Sequence, residues 1–179
     1  MNSREKGKRG EREWASVCRE HGWDVRRTAQ YCGNTGDASD CAGLPGIHQE
    51  VKRVERLDLY AAMAQATRDA AKSGNVPIVA HRKNNCPWLV TMHDMDWTKL
   101  YSDSDAAGKV SVEKRRAKRL LIYNTMAKAQ SRNGMPIVKH SRDGADWYIT
   151  MIASDWFTLY NNSDWPDKQY CDRQDGGTC

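Results

Sequence analysis

The sequence predicts an α/β fold: a mixed central β-sheet with flanking helices, followed by a duplicated helix–strand–strand–helix half-unit toward the C-terminus. Two observations predict it. Stretches with apolar residues at helical spacing alternate with short apolar runs of strand composition. An internal repeat then returns the same order of elements. Leu57 to Ala66 comes back as Leu120 to Ala129, and after an offset of four residues Val76 to Asp105 matches Met135 to Asp164 without gaps. Of those 30 aligned positions 13 are identical, among them Pro77/Pro136, His81/His140, Trp88/Trp147, Thr91/Thr150 and Trp97/Trp156. Identity at that level marks a true structural repeat.

The elements follow in order. Ser3 is a good N-cap for a helix ending at Gly22, with Trp14, Val17, Cys18 and His21 on its apolar side. A strand is expected near Trp23 to Thr28, and two more flank Gly43-Leu44-Pro45-Gly46, a run with strong turn chemistry. The next helix starts near Leu57, buries Leu59, Met63, Ala66 and Ala70, and stops at Ser73-Gly74. Pro77 to Ala80 and Trp88 to Met92 read as strands around an Asn84-Asn85 turn. The repeated Trp88, Trp97, Trp147 and Trp156 are expected in the core rather than as stacking platforms. Lys114 to Arg119 reads as the basic start of the second copy's helix. The expected divisions are 1–101 as a complete unit, 102–111 as linker, 112–160 as the half-repeat and 161–179 as a polar tail.

Composition narrows the function classes. The chain has 179 residues and a net charge of +5, and the acidic stretch after Asn161 leaves the remainder more basic still. A basic body favours an anionic partner, nucleic acid first among them. No apolar run approaches a membrane span and no signal-peptide core follows Met1, so a cytoplasmic protein without membrane contact is expected. The six cysteines form no CxxC pair or zinc-finger spacing and are read as free thiols.

The chemistry is carried by Asp40 and Glu50-Val51-Lys52. If Gly43–Gly46 closes a hairpin, residues whose numbers sum to about ninety face each other, and Asp40 lies opposite Glu50. Cross-strand Cβ atoms are then about 5 Å apart, close enough for two carboxylates to share a hard cation. Glu50 and Lys52, two apart on a strand, project from one face, while Val51 points to the other. Such a set suits phosphodiester hydrolysis. Bound Mg²⁺ lowers the pKa of its water and neutralises developing charge, and a lysine orients the attacking water or the phosphate. The bland alternative is a surface hairpin with an i,i+2 ion pair. Glu11, three residues before Trp14 and seven before Cys18, shares the apolar side of the first helix and is a further candidate. Its alternative is a helix-edge ion pair with Arg27 or Lys52.

The order and spacing of Lys6-Gly7-Lys8-Arg9-Gly10-Glu11, Ser39-Asp40, Glu50-Val51-Lys52 and a following helix with Gln65 resemble the archaeal Holliday-junction resolvases and related phage nucleases of the PD-(D/E)xK class, over roughly residues 3 to 101. The resemblance implies a restriction-endonuclease-like core, Mg²⁺ or Mn²⁺ as cofactor and a homodimer cutting branched DNA such as a four-way junction. It implies Glu11, Asp40, Glu50 and Lys52 as catalytic residues. The metal would be held by Asp40, Glu50 and the Val51 carbonyl, with Glu11 reaching it directly or through water. Ser39 stands where that pattern usually has proline, and Asp37 is a rival to Asp40 that would face the wrong side. In the second copy Glu113-Lys114 aligns with Glu50-Val51 and Arg115 falls at Lys52, but no counterpart of Asp40 exists, so this copy is expected to be non-catalytic. It could instead extend the sheet, stand in for a dimer partner as a pseudo-dimer, or cover DNA.

Basic residues cluster around the proposed site and at the second copy. Lys6, Lys8, Arg9, Arg26, Arg27, Arg53, Arg56, Arg82 and Lys83 are expected to meet DNA. So are Lys114, Arg115, Arg116, Lys118 and Arg119, together with Gln65 on the helix flank. Phosphate contacts of this kind give salt-sensitive affinity without sequence preference. The alternative for Lys114 to Arg119 is a solvated helix face.

Overall fold

The computed structural model describes residues 3–28, 39–117, 120–142 and 146–165. Asp37, Lys118, Arg119, Cys32, Cys171 and Cys179 lie outside them, so the expectations placed on those residues do too. The elements run α1 (Ser3–Glu20), β1 (Arg26–Arg27), β2 (Cys41–Ala42), β3 (Ile47–Arg53), α2 (Leu59–Ala70), β4 (Val76–Arg82), β5 (Leu89–His93), α3 (Asp94–Asp103), β6 (Val110–Arg116), α4 (Ile122–Gln130), β7 (Met135–Ser141), β8 (Tyr148–Ile152) and α5 (Ala153–Asn161). All eight strands form one mixed sheet in the order β1-β2-β3-β4-β5-β8-β7-β6, with β3–β4 and β6–β7 parallel and the other pairs antiparallel. The mixed α/β fold with flanking helices is the one the sequence predicts.

Two apolar layers sandwich the sheet. On one face α1, α3 and α5 bury Trp14, Trp97, Leu100, Trp156 and Phe157 against Ile47, Val51, Ile78 and Val90. On the other, α2 and α4 bury Leu59, Met63, Ile122 and Met126 against Val79, Leu89 and Val138. Helix α2 starts where its Asp58 cap accepts the Ala61 N–H at 3.1 Å. Its last turn runs out before Gly74 at φ +67°, a left-handed conformation that glycine adopts without Cβ cost. Among the described residues no helix is long and apolar enough to cross a membrane.

The repeat extends one strand further upstream than the alignment of identities reaches. β3-α2-β4-β5-α3 corresponds to β6-α4-β7-β8-α5, and the registers match: Glu50 pairs with Val79 as Glu113 pairs with Val138. The basic run expected to begin a helix is therefore partly strand, since β6 carries Lys114, Arg115 and Arg116. The reason lies in the flanking alternation: Ser111 and Glu113 are buried and Val112 and Lys114 exposed, which is period two, and β7 supplies a parallel partner. β6 also starts at Val110, inside the stretch read as linker.

The two copies meet through reciprocal contacts. β5 pairs with β8 so that Thr91 stands opposite its own equivalent Thr150, their hydroxyls 2.6 Å apart. The Asp94 N–H donates to the Trp147 carbonyl, and the equivalent Ala153 N–H donates to the Trp88 carbonyl, both at 3.0 Å. Ser104 bridges to its equivalent Ser163. Contacts in which residue i meets j while j meets i are those of an isologous interface around a two-fold axis, here within one chain.

That axis carries a buried polar chain. The His81 Nε2 lies 3.0 Å from Thr91 Oγ1 and its Nδ1 3.2 Å from the Tyr123 hydroxyl of the other copy. His140 repeats this with Thr150 at 2.8 Å and Tyr60 at 3.2 Å. Each copy thus lends its tyrosine to the other's histidine. Burial holds His81 down at about 3 and His140 at about 4, so both rings are neutral near pH 7.

Candidate active site

The hairpin β2–β3 builds the site. Gly43 turns at φ +124° and Gly46 at φ +68°, and the strands leave the turn with Cys41 opposite Gln49. Asp40 consequently stands next to Glu50, as the turn arithmetic anticipates. Gln49 and Ser39 lock this register from beneath. The Trp14 indole N–H donates to Gln49 Oε1 at 2.9 Å, and Gln49 Nε2 donates to the Cys41 carbonyl at 3.2 Å. The Ser39 hydroxyl donates to the Cys41 carbonyl at 2.7 Å and accepts the Gln49 N–H at 2.9 Å. Both residues escape a reading of the sequence that looks only for charge. Their signal is position: each directly precedes one of the two acids and so points to the opposite, core-facing side of the strand.

Glu50 is 1% exposed and pairs with the Lys52 ammonium. Glu50 and Lys52, two apart on β3, share the sheet face on which α2 packs, because Glu50's register partner Val79 belongs to that layer. Val51 faces the other way, into the α1 layer. The Val51 N–H turns to the β2 side and donates to Asp40 Oδ2 at 2.8 Å. In an extended strand the carbonyl of a residue points the same way as its N–H, so the Val51 carbonyl is directed to the same edge. Burial, reinforced by the Glu50 carboxylate, pushes Asp40 up to about 6 against the pull of the Val51 N–H. Two acids held this close with one lysine between them are short of positive charge, and their donor set is oxygen only. That fits a hard divalent cation held by Asp40, Glu50 and the Val51 carbonyl.

Glu11 was expected to meet the metal directly or through water, or to form a helix-edge ion pair. Its carboxylate is paired with Arg27, the helix-edge alternative, although its charge still reaches Asp40. Among the described residues no three His, Cys, Asp or Glu side chains are placed to hold one ion together.

The basic residues divide into committed and open ones. Glu13 gathers Arg9 and Arg53, each at 2.8 Å, and Arg82 at 3.7 Å. Lys8 pairs with Glu5 at 3.5 Å. Lys6 and Arg26 are exposed, and Gln65 is half-buried on α2. Arg56 and Lys83 are exposed and line a cavity of about 330 Å³ between the starts of α2 and α4, together with Arg142.

In the second copy Glu113 sits where Glu50 does in the first. It is held by Arg115 at 3.0 Å and by Arg132, whose Nη1 also donates to the Val112 carbonyl at 3.3 Å. No hairpin precedes β6, which is the last strand of the sheet, so among the described residues none stands at the position of Asp40.

No family model matches the chain, and no curated protein matches it significantly. Among solved structures it is similar to that of Hjc, a Holliday junction resolvase from the archaeal hyperthermophile Archaeoglobus fulgidus. The two are 21% identical with a TM-score of 0.38, over 46% of this chain and 74% of that one.

Proposed function

We propose that this chain is a divalent-metal-dependent DNA endonuclease acting on branched DNA, in the manner of a Holliday-junction resolvase. The observation that carries the reading is the opposition of Asp40 and Glu50 across β2–β3 with Lys52 on the same face. Asp40, Glu50 and the Val51 carbonyl would hold Mg²⁺ or Mn²⁺. The ion supplies charge neutralisation and a more acidic water when bound. Lys52 places an ammonium beside the scissile phosphate, where it orients the nucleophile and offsets developing negative charge. Glu11, tied to Arg27, would fix the rim of the site and reach the ion through water.

The test is cleavage of a labelled four-way junction and of a matched linear duplex, in Mg²⁺ or EDTA, by the wild type and by Glu50→Ala. Mg²⁺-dependent cuts confined to the junction and absent from the variant support the reading. Equal cutting of both substrates leaves a nuclease without junction selectivity. Binding without cleavage in either metal rejects the enzyme and leaves a DNA-binding scaffold.

A second reading within the same chemistry is a nickase. It is favoured by the second copy, where Glu113 is neutralised by two arginines and Asp40 has no counterpart among the described residues. One chain then carries one centre, and paired cuts require two chains. Cut products from junctions labelled on each strand in turn, read against protein concentration, separate single from paired incision.

A further inference from the structure

In the first copy, α1 covers the sheet face formed by Val51, Ala80 and Trp88, all buried, with Trp14 packed 5.4 Å from Trp88. Among the described residues the second copy has no helix equivalent to α1, and on the same face of β6 Val112 and Lys114 are exposed. The register shows what replaces the core there. Lys114 stands at the position of Val51, Lys139 at that of Ala80 and Trp147 at that of Trp88, while Arg116 corresponds to Arg53. Val112, at the position of buried Gln49, is 45% exposed.

The three cations converge on the one indole. Lys114 Nζ lies 4.9 Å from the Trp147 ring centroid, Arg116 Cζ 5.3 Å and Lys139 Nζ 5.7 Å. Among the described residues the acid paired with them is Asp94, 2.6 Å from Lys139. Solvation of a bare face would be met by any polar residues, acids included. Protection of an edge strand would be met by charges on β6 alone. Neither calls for three positive groups gathered within 6 Å of one ring, one of them from the interior strand β7. Attraction to the ring's negative face holds together cations that otherwise repel, and leaves a preformed site with surplus positive charge.

We infer that this face of the second copy binds the phosphodiester backbone of DNA, with Lys114, Arg116 and Lys139 as phosphate contacts and Trp147 as the platform that positions them. The choice of DNA as occupant rests on the proposed function. The surface lies on the sheet face opposite Glu50 and Lys52, so it takes a different stretch of strand from the one at the carboxylates. A branched substrate supplies such a stretch.

The test measures binding of a fluorescent four-way junction by the full chain in EDTA, where no cleavage occurs, across a salt series. Wild type is compared with Lys114→Ala/Arg116→Ala, Trp147→Leu and Lys128→Ala, whose lysine is exposed on α4 on the far face. Each phosphate contact contributes about 0.9 to the slope of log affinity against log salt. The double variant should lower that slope by about 1.8 and weaken binding at least about tenfold at 0.1 M salt. Trp147→Leu should weaken binding too, and Lys128→Ala should match wild type. Thermal melts show that each variant is folded. Equal slopes for wild type and the double variant, or no DNA binding by wild type, overturn the inference. Wild type that binds with this slope change but never cleaves in Mg²⁺ rejects the nuclease reading alone. Cleavage by a protein whose slope ignores Lys114 and Arg116 rejects the surface alone.

Discussion

Acid should loosen this protein through its two buried histidines before it reaches most of its carboxylates. His81 and His140 are completely enclosed, their ring nitrogens facing threonine and tyrosine hydroxyls, and burial lowers them from 6.5 to about 3 and about 4. Among the described residues no carboxylate bonds to either ring; His81 has Lys52 beside it in the β3–β4 register, and the His140 ring adds to its depression. In the unfolded chain both titrate at their ordinary value. The stability held by keeping them neutral is complete above pH 6.5 and is lost as pH falls from there toward 4 and 3, because the unfolded state binds the protons first. At pH 5 each histidine has lost about 1.4 kcal/mol per unit over about 1.5 units, or ~2 kcal/mol, and the pair ~4 kcal/mol. Asp40 works in the other direction. Raised to about 6, it takes up its proton earlier in the folded state and adds stability as pH falls from there toward 3.8. Comparison with a variant that keeps Asp40 removes this contribution. Urea unfolding at pH 8 and pH 5 on wild type, His140→Asn and His81→Asn/His140→Asn should show the pH-dependent loss shrinking by ~2 and then ~4 kcal/mol. A double variant that loses as much stability between the two pH values as wild type refutes the neutral-histidine assignment.

Three further outcomes follow from contacts described above. Thr91→Val leaves Thr150 and His81 each short of a buried partner and should lower stability by about 1–3 kcal/mol in urea titrations, without changing metal affinity. Gly43→Ala forces a Cβ to φ +124° and to 2.9 Å from Val25 Cα, so the hairpin must shift. Stability should fall by more than ~1 kcal/mol, and cleavage should fall further than global unfolding explains, because Asp40 and Glu50 lose their register. Arg132→Met removes one of two partners of the buried Glu113 and should cost about 1–2 kcal/mol of stability while leaving the cleavage rate at saturating DNA unchanged. A drop in that rate would give the second copy a part in the chemistry.

The hairpin was legible because its turn chemistry fixes its register: Gly43 and Gly46 set the arithmetic that puts Asp40 beside Glu50, and Cys41 pairs with Gln49 accordingly. The repeated elements were legible because identical residues bury identical faces. Their mutual packing was not. Repetition states that a unit occurs twice, and nothing local to Tyr60 or Tyr123 says that each will serve the other copy's histidine. β6 was obscured by composition, since Lys114, Arg115 and Arg116 mask a period-two pattern that only a parallel partner completes. Ser39 and Gln49 were passed over because a register lock is made of neutral hydrogen bonds, which carry no charge signature. Glu11 was legible as an unusual carboxylate with Arg27 or Lys52 as its partner, while the choice of Arg27 depends on how α1 packs beside β1.

The reciprocal pairing of the two copies has a consequence for what sequence change can achieve. In an assembly of two identical chains every substitution is made twice, so position 51 could not be an apolar residue under a helix in one half and a solvated lysine in the other. Joining both halves in one polypeptide removes that constraint. Val51 and Lys114, Ala80 and Lys139, Trp88 and Trp147 occupy matching places and have taken opposite environments, while the shared seam of Thr91 and Thr150 still holds the halves in register. Fusion lets one half keep Glu50 paired with Lys52 beside Asp40 while the other ties its Glu113 to two arginines.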